Sequence, residues 1–283
     1  MKFELFFNRT CRRTAIFMSG SGDNAKRLLE TRSGAWTAEA IVTDYPDRSN
    51  AKTIAEHFNI PLITVPIRQF YADHGLKSTS LATEQGREVR NLWTAEIRQR
   101  LAPFSIEFGL LAGFVSLCNI SSDFPCLNVH PGDLTFELNG QRHLTGLHSI
   151  PIERALLAGL PYLRSSVIAT MPYHSAKDID AGPVLGVSLP IPVNTDGISV
   201  EELRSIVALR PARKPASGWG DVLSELADAH QQRLKLEGDL QIYPRIADDF
   251  ANGKFKMHNK TLYYGGYPVK TVEYASEGVN LIS

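Results

Sequence analysis

Asn128, His130 and Asp180 are the side chains of this sequence best suited to do chemistry together. Asn128 and His130 stand at i and i+2 in Leu127-Asn128-Val129-His130-Pro131, at the end of a short apolar run. On a strand, alternate residues share a face, so both would project into one site. Pro131 ends the element because it has no N–H to give to a sheet ladder. Fifty residues after His130, Asp180 lies in Asp178-Ile179-Asp180-Ala181-Gly182-Pro183, a Gly-Pro turn whose carboxylate could meet the imidazole in space. Histidine titrates near neutrality, and a nearby carboxylate raises its pKa and fixes its tautomer. A side-chain amide can donate to an oxyanion as a tetrahedral centre forms. The set suits acyl-type chemistry. No serine or cysteine sits in an elbow motif, so direct transfer to an incoming nucleophile fits better than a covalent intermediate.

A second candidate is Ser19-Gly20-Ser21-Gly22-Asp23-Asn24, between an apolar run and a helical pattern. Glycines let a backbone approach an anion, and a helix N-terminus offers free N–H groups at the positive end of its dipole. The loop lacks a third glycine and no Walker lysine follows, so it is neither a dinucleotide fingerprint nor a P-loop. Two readings stay open: a cradle for phosphate or carboxylate, and a tight turn capped by Asp23 or Asn24. His143 and His148 are five apart in an irregular stretch, without a Cys or carboxylate to complete a ligand set, so no metal is expected.

The elements that must position these residues alternate. Strands are expected at Thr14–Met18, Trp36–Thr43, Pro61–Val65, Phe108–Leu111, Cys126–His130, Ser165–Met171 and Pro183–Ile191. Helices are expected over 24–31, 50–58, 84–102, 150–159, 221–236 and 242–252, with Leu92, Trp93 and Ile97 in the core. Gly132 to Leu147 is polar and irregular. The ending predicts a hairpin of 255–262 and 268–274 turning at Gly265-Gly266. This alternation implies an α/β fold with a mostly parallel sheet covered on both faces. Ligands of such sheets bind beyond the carboxyl ends of the strands, where the Gly20 loop, the Ala112-Gly113 turn and His130 all fall. The chain is expected to be a single domain over 1–283, with a core at about 14–207, a Pro/Gly-rich breaker at 210–220 and a helical and hairpin tail at 221–283.

Composition narrows the partners. Lys+Arg and Asp+Glu are both 30 in 283 residues, so net charge is zero and offers no general attraction for nucleic acid or membrane. Cys11, Cys118 and Cys126 form no CxxC pair, which fits a reducing, cytoplasmic setting. Met1–Phe7 is too short and acidic for a signal-peptide core, and no run approaches the length of a spanning helix. Asn-x-Ser/Thr triplets at Asn8, Asn119 and Asn259 are therefore expected to be chance matches. A homodimer is compatible with the sequence, which does not set the oligomeric state.

In order along the chain, Ser19–Asn24, Leu110-Leu111-Ala112-Gly113-Phe114, Leu127–Pro131 and Asp178–Val184 together resemble the folate-dependent formyltransferase family. Ile242-Tyr243-Pro244 and Phe250-Ala251-Asn252-Gly253-Lys254 are similar to that family's C-terminal helix, and the resemblance spans roughly residues 14–270. It implies a Rossmann-like sheet with the C-terminal helix and hairpin packed on it. It implies 10-formyltetrahydrofolate as donor and the primary amine of a small phosphorylated molecule as acceptor, glycinamide ribonucleotide by default. Asn128, His130 and Asp180 would be catalytic: the first two steady the oxyanion, while Asp180 orients the histidine and helps the proton move. Arg87, Phe114, Val115, Ala181 and Gly182 would contact folate, and Gly20, Ser21, Gly22, Asp23 and Asn24 would hold the acceptor phosphate. The family usually continues His-Pro-Ser and then Leu-Pro-x-x-x-Gly. Here His130-Pro131-Gly132-Asp133-Leu134-Thr135 runs on through a longer stretch to Gly146-Leu147-His148, and a second insertion surrounds 210–220. Both lie where the family recognises its acceptor, so an amino-sugar or specialised-metabolite N-formyltransferase is an alternative. A formyltetrahydrofolate hydrolase is another, disfavoured because those relatives carry a regulatory domain before the first strand, where this sequence has about 13 residues.

Overall fold

The computed structural model describes residues 11–173, 175, 178–215 and 218–283. The readings made for Met1–Phe7, for the Asn8 triplet and for Ala216 and Ser217 of the breaker lie outside the described residues. The first half builds β1 (Arg12–Phe17), α1 (Asp23–Thr31), β2 (Trp36–Thr43), α2 (Ala51–Phe58), β3 (Leu62–Thr64), α3 (Ile67–Asp73), α4 (Glu84–Leu101), β4 (Phe108–Leu111) and β5 (Cys126–His130). These five strands are parallel in the order β3-β2-β1-β4-β5. After β3 the chain returns to the other side of β1, which creates a switch point between β1 and β4.

The strand sequences are apolar throughout because both faces are covered. In β1, Ala15 and Phe17 pack with Trp93 and Ile97 of α4, while Ile16, with Met18 just beyond the strand, packs with Leu28 and Leu29 of α1. Trp93 is fully buried and its indole N–H donates to the Val65 carbonyl (3.0 Å). Leu92, grouped with it from sequence, is instead 51% exposed. One residue turns a helix by about 100°, which carries Leu92 off the core face.

The stretch 132–147 corrects the expectation of an irregular loop. It contains the hairpin β6 (Glu137–Leu138) and β7 (Gln141–Arg142), turning at Asn139-Gly140 with both residues at positive φ. Asn-Gly is the dipeptide such a two-residue turn favours. Next come α5 (Ile150–Leu157), β8 (Tyr162–Leu163), β9 (Ser166–Ala169), β10 (Val184–Ser188), β11 (Ile191–Pro192), α6 (Val200–Ala208) and α7 (Val222–Leu234). Strand β9 runs antiparallel to both β5 and β10. Helix α6, unread in the sequence, starts on a capping box in which Ser199 and Glu202 satisfy each other's N–H.

Helix α7 continues through one π-helical turn, Lys235–Asp239, into α8 (Leu240–Ala251). Pro244 inside α8 gives no N–H to the Leu240 carbonyl, and Arg27 supplies one instead (3.3 Å). Helix α8 docks on the sheet through Tyr243, whose hydroxyl donates to the Leu127 carbonyl of β5 (2.8 Å). The ending differs from a single hairpin. The strands β12 (Phe255–His258), β13 (Thr261–Tyr264) and β14 (Tyr267–Val269) form a meander turning at Asn259-Lys260 and Gly265-Gly266, all at positive φ. Then β15 (Thr271–Tyr274) joins the main sheet parallel to β10, and β16 (Val279–Ile282) forms its edge. The nine-stranded sheet is thus parallel except for β9 and β16. Among the described residues no helix is long and apolar enough to cross a membrane.

Candidate active site

The carboxyl ends of β1 to β5 open onto one cleft of about 690 Å³. One wall is the loop from β1 into α1. Its backbone is tied to the β4 turn across the switch point: the Ser19 amide donates to the Gly113 carbonyl (3.1 Å), and the Val115 amide to Ser19 Oγ (2.9 Å). The residue preceding α1 is Gly22 at φ +77°, and among the described residues no side chain caps the helix. The capped-turn reading therefore fails. Asp23 is engaged by Ser21 Oγ (2.8 Å) and by Lys235, and these interactions hold its carboxylate below the usual range. The first-turn amides of α1 are left without a side-chain acceptor at the edge of the cleft.

Another wall carries the side-chain set. Leu127 and Val129 point into the core, so Asn128 and His130 face the cleft together, as alternation in β5 requires. Asp180 reaches the same wall from its turn. Its Oδ2 lies 3.7 Å from His130 Nδ1, too far for a direct hydrogen bond. The close partner of the imidazole is the Leu144 carbonyl, 2.7 Å from Nε2. A carbonyl can only accept, so Nε2 carries the proton and Nδ1 is the nitrogen turned toward Asp180. Burial pushes the His130 pKa below the usual imidazole value, partly opposed by the charge of Asp180.

Phe114 and Val115 line the cleft, as do Gly20, Ser21, Gly22, Asp23 and Asn24. Arg87 is not brought there. It lies on the exposed side of α4, donating to the Leu81 and Ala82 carbonyls (3.2 and 3.4 Å). Arg90, one turn later, faces inward and donates to Tyr71 Oη (3.0 Å) and the Leu117 carbonyl (2.8 Å). Ala181 is exposed beside the site, and buried Gly182 packs where a Cβ would lie 1.8 Å from the Ala169 carbonyl.

Sequence reasoning missed Arg142, Lys235 and Asp239. Arg142 had a signal in the Asn139-Gly140 turn that places it. Asp239 closes the π-helical turn and lines the cleft; burial raises its carboxyl to about 6, against hydrogen bonds from Ser165 (2.5 Å) and Asn24. Neighbouring Gly238 leaves room for this, since a Cβ there would sit 2.3 Å from Ser165 Oγ. Single π turns recur at functional sites.

No family model matches the sequence, and no curated protein matches it. Solved structures do. The chain is similar to a phosphoribosylglycinamide formyltransferase from Anaplasma phagocytophilum, at 18% identity and a TM-score of 0.60, over 93% of this chain and 98% of that one. It is similar to the corresponding enzyme from Coxiella burnetii at 19% identity and a TM-score of 0.57, over 93% and 99%. A formyltetrahydrofolate deformylase from Pseudomonas syringae matches at 13% identity and a TM-score of 0.54, over 89% of this chain and 65% of that one. The chain shares the fold of these formyl-handling enzymes.

Proposed function

We propose that this protein moves a formyl group from 10-formyltetrahydrofolate to the primary amine of a small phosphorylated acceptor, with glycinamide ribonucleotide the default. The observation that carries the reading is the convergence of Asn128, His130 and Asp180 on one wall of a cleft that the glycine loop also lines. The apolar side chains of Val115 and Leu147 stay exposed along the cleft, a surface suited to a flat ring system. Phe114 and Val115 would contact the folate, and Gly20 to Asn24 the acceptor phosphate. Bound there, the folate supplies an electrophilic formyl carbon.

The chain's own residues then have distinct tasks. The Asn128 amide donates to the formyl oxygen as it gains negative charge. His130, when protonated, offers a second donor at Nδ1, because Nε2 is held by Leu144. Asp180 faces that nitrogen and accepts charge or proton from it. The bond from acceptor nitrogen to formyl carbon forms, the bond from folate nitrogen to formyl carbon breaks, and the amine proton ends on the folate nitrogen. Purified protein given 10-formyltetrahydrofolate and a panel of phosphorylated amines should release deformylated folate only when an amine is present. Formate release without any amine would overturn the transferase reading in favour of hydrolysis.

A further inference from the structure

The segment from Arg142 to Gly146 touches both members of the His130–Asp180 pair. Arg142 donates to the Asp180 carbonyl and to the Gly182 carbonyl (2.8 Å). The Leu144 carbonyl accepts from His130 Nε2 (2.7 Å). The Gly146 amide donates to Asp180 Oδ2 (3.2 Å). Four hydrogen bonds from one short run thus reach His130 and the Asp180–Gly182 turn, which begins fifty residues after it.

The Arg142 and Leu144 contacts are fixed from behind. Arg142 ends the two-residue hairpin of β6 and β7, so its position is set by local turn geometry. The Leu144 side chain is buried with Ile152, Leu156 and Leu163, which leaves its carbonyl little freedom. Ser166 Oγ of β9 donates to the Gly132 carbonyl (2.8 Å) and accepts from the Leu134 amide (3.0 Å), pinning the start of the stretch beside His130. Gly132 also makes room: a Cβ there would lie 2.7 Å from the Leu144 oxygen and 3.1 Å from His130 Nε2.

The turn being held needs an anchor. Asp180 sits at φ +55°, a left-handed conformation uncommon for a residue with a side chain, and such positions persist when their surroundings fix them. Resting on the formyl-transfer reading for its role in a reaction, we propose that Arg142 is the positioning residue of this site. It clamps the Asp180–Gly182 turn while the adjoining Leu144 carbonyl fixes the Nε2–H tautomer of His130. The clamp leaves Nδ1, facing the Asp180 carboxylate, as the nitrogen that gains and loses the proton. The charged groups acting on the imidazole are Asp180 from its turn and Arg142 from β7. Asn128 on β5 and Ser166, the register partner of His130 on β9, carry no charge.

The first arm of the test needs neither donor nor acceptor. A ¹⁵N NMR titration of the histidines in the full chain should show His130 with Nε2 protonated and Nδ1 titrating. Arg142→Met removes a nearby positive charge and should raise the His130 pKa. Arg142→Lys should restore the pKa and only part of the rate. In the transfer assay Arg142→Met should lower kcat about 10- to 100-fold with KM little changed, as expected when reacting groups shift by an ångström or less. Gly132→Ala approaches the device from the other side and should populate the Nδ1–H tautomer. An unchanged His130 titration and an unchanged kcat in Arg142→Met would overturn the proposal, as would Nε2–H persisting in Gly132→Ala. Absence of formyl transfer by the parent protein would sink the functional reading while leaving the titration to decide this one.

Discussion

The wall of the cleft at Ser19–Asn24 uses six consecutive residues, whereas the wall at His130 gathers Asn128, His130 and Asp180, with Arg142 and Leu144 holding them from behind, from a span of more than fifty. The first is made of backbone. A strand end, a left-handed glycine and a helix start present backbone amides at the cleft edge, while its side chains bond sideways: Ser21 to Asp23, Asp23 to Lys235, Ser19 to the Val115 amide and Asn24 to Asp239. The second is made of side chains buried in the fold and held by distant carbonyls and amides. Backbone donors come preoriented by secondary structure. A buried imidazole and carboxylate have to be oriented by partners, and an unpartnered buried polar group costs about 1–3 kcal/mol.

That contrast can be broken experimentally. On the side-chain wall, His130→Ala should lower kcat by about 10²–10⁴-fold if the imidazole moves a proton or steadies the oxyanion. Steady-state kinetics with 10-formyltetrahydrofolate check it, and an unchanged rate would remove His130 from the mechanism. Asp239 probes where the walls meet, since it bonds both Asn24 and Ser165. With its folded pKa raised to about 6, it binds more protons folded than unfolded between about pH 4 and 6. Its share of stability is therefore complete below about pH 4 and lost as pH rises through 6. Asp239→Asn should gain on the parent across that window, by on the order of 2–3 kcal/mol. Urea unfolding at pH 4.5 and 7.5 reads the difference, and parallel curves would contradict the buried-carboxyl account.

On the backbone wall, Gly22→Ala places a Cβ 2.4 Å from Ile54 Cδ1 and 2.5 Å from Met18 Cε, at φ +77°. It should cost about 1–3 kcal/mol in stability and raise the acceptor KM. Thermal unfolding and acceptor kinetics measure the two effects. Ser21→Ala is the counterpart, because it removes an exposed hydroxyl whose one partner among the described residues is Asp23. Stability should stay within about 0.5 kcal/mol, and acceptor KM should move less than about threefold. A large loss would mean that side chains, and not amides, hold the acceptor on this wall.

Legibility followed the same division. Strands β2, β4 and β5 were read to the residue and β1 within two residues, since a buried parallel strand announces itself as a continuous apolar run. The Asn128–His130 alternation needed only the period of a strand. Other parts depended on contacts that no local pattern carries. Thr271–Tyr274 has the pattern of a hairpin arm, but its place beside β10 was set by packing across the sheet. Arg87 and Arg90 are both helical arginines, and only the contact of α4 with Tyr71 shows which one turns inward.

By itself the sequence determined the alternation of strands and helices, the strand ends that become the cleft, and the pairing of Asn128 with His130 on one face. All of these follow from short-range periodicity and from the backbone limits of glycine and proline. Only the tertiary structure decided that the Leu144 carbonyl, and not Asp180, makes the close bond to His130. It likewise brought Arg142 onto the Asp180 turn and Asp239 into the cleft. Those contacts join residues 14 to 74 positions apart, and burial in a common core, which no stretch of sequence encodes alone, is what holds them together.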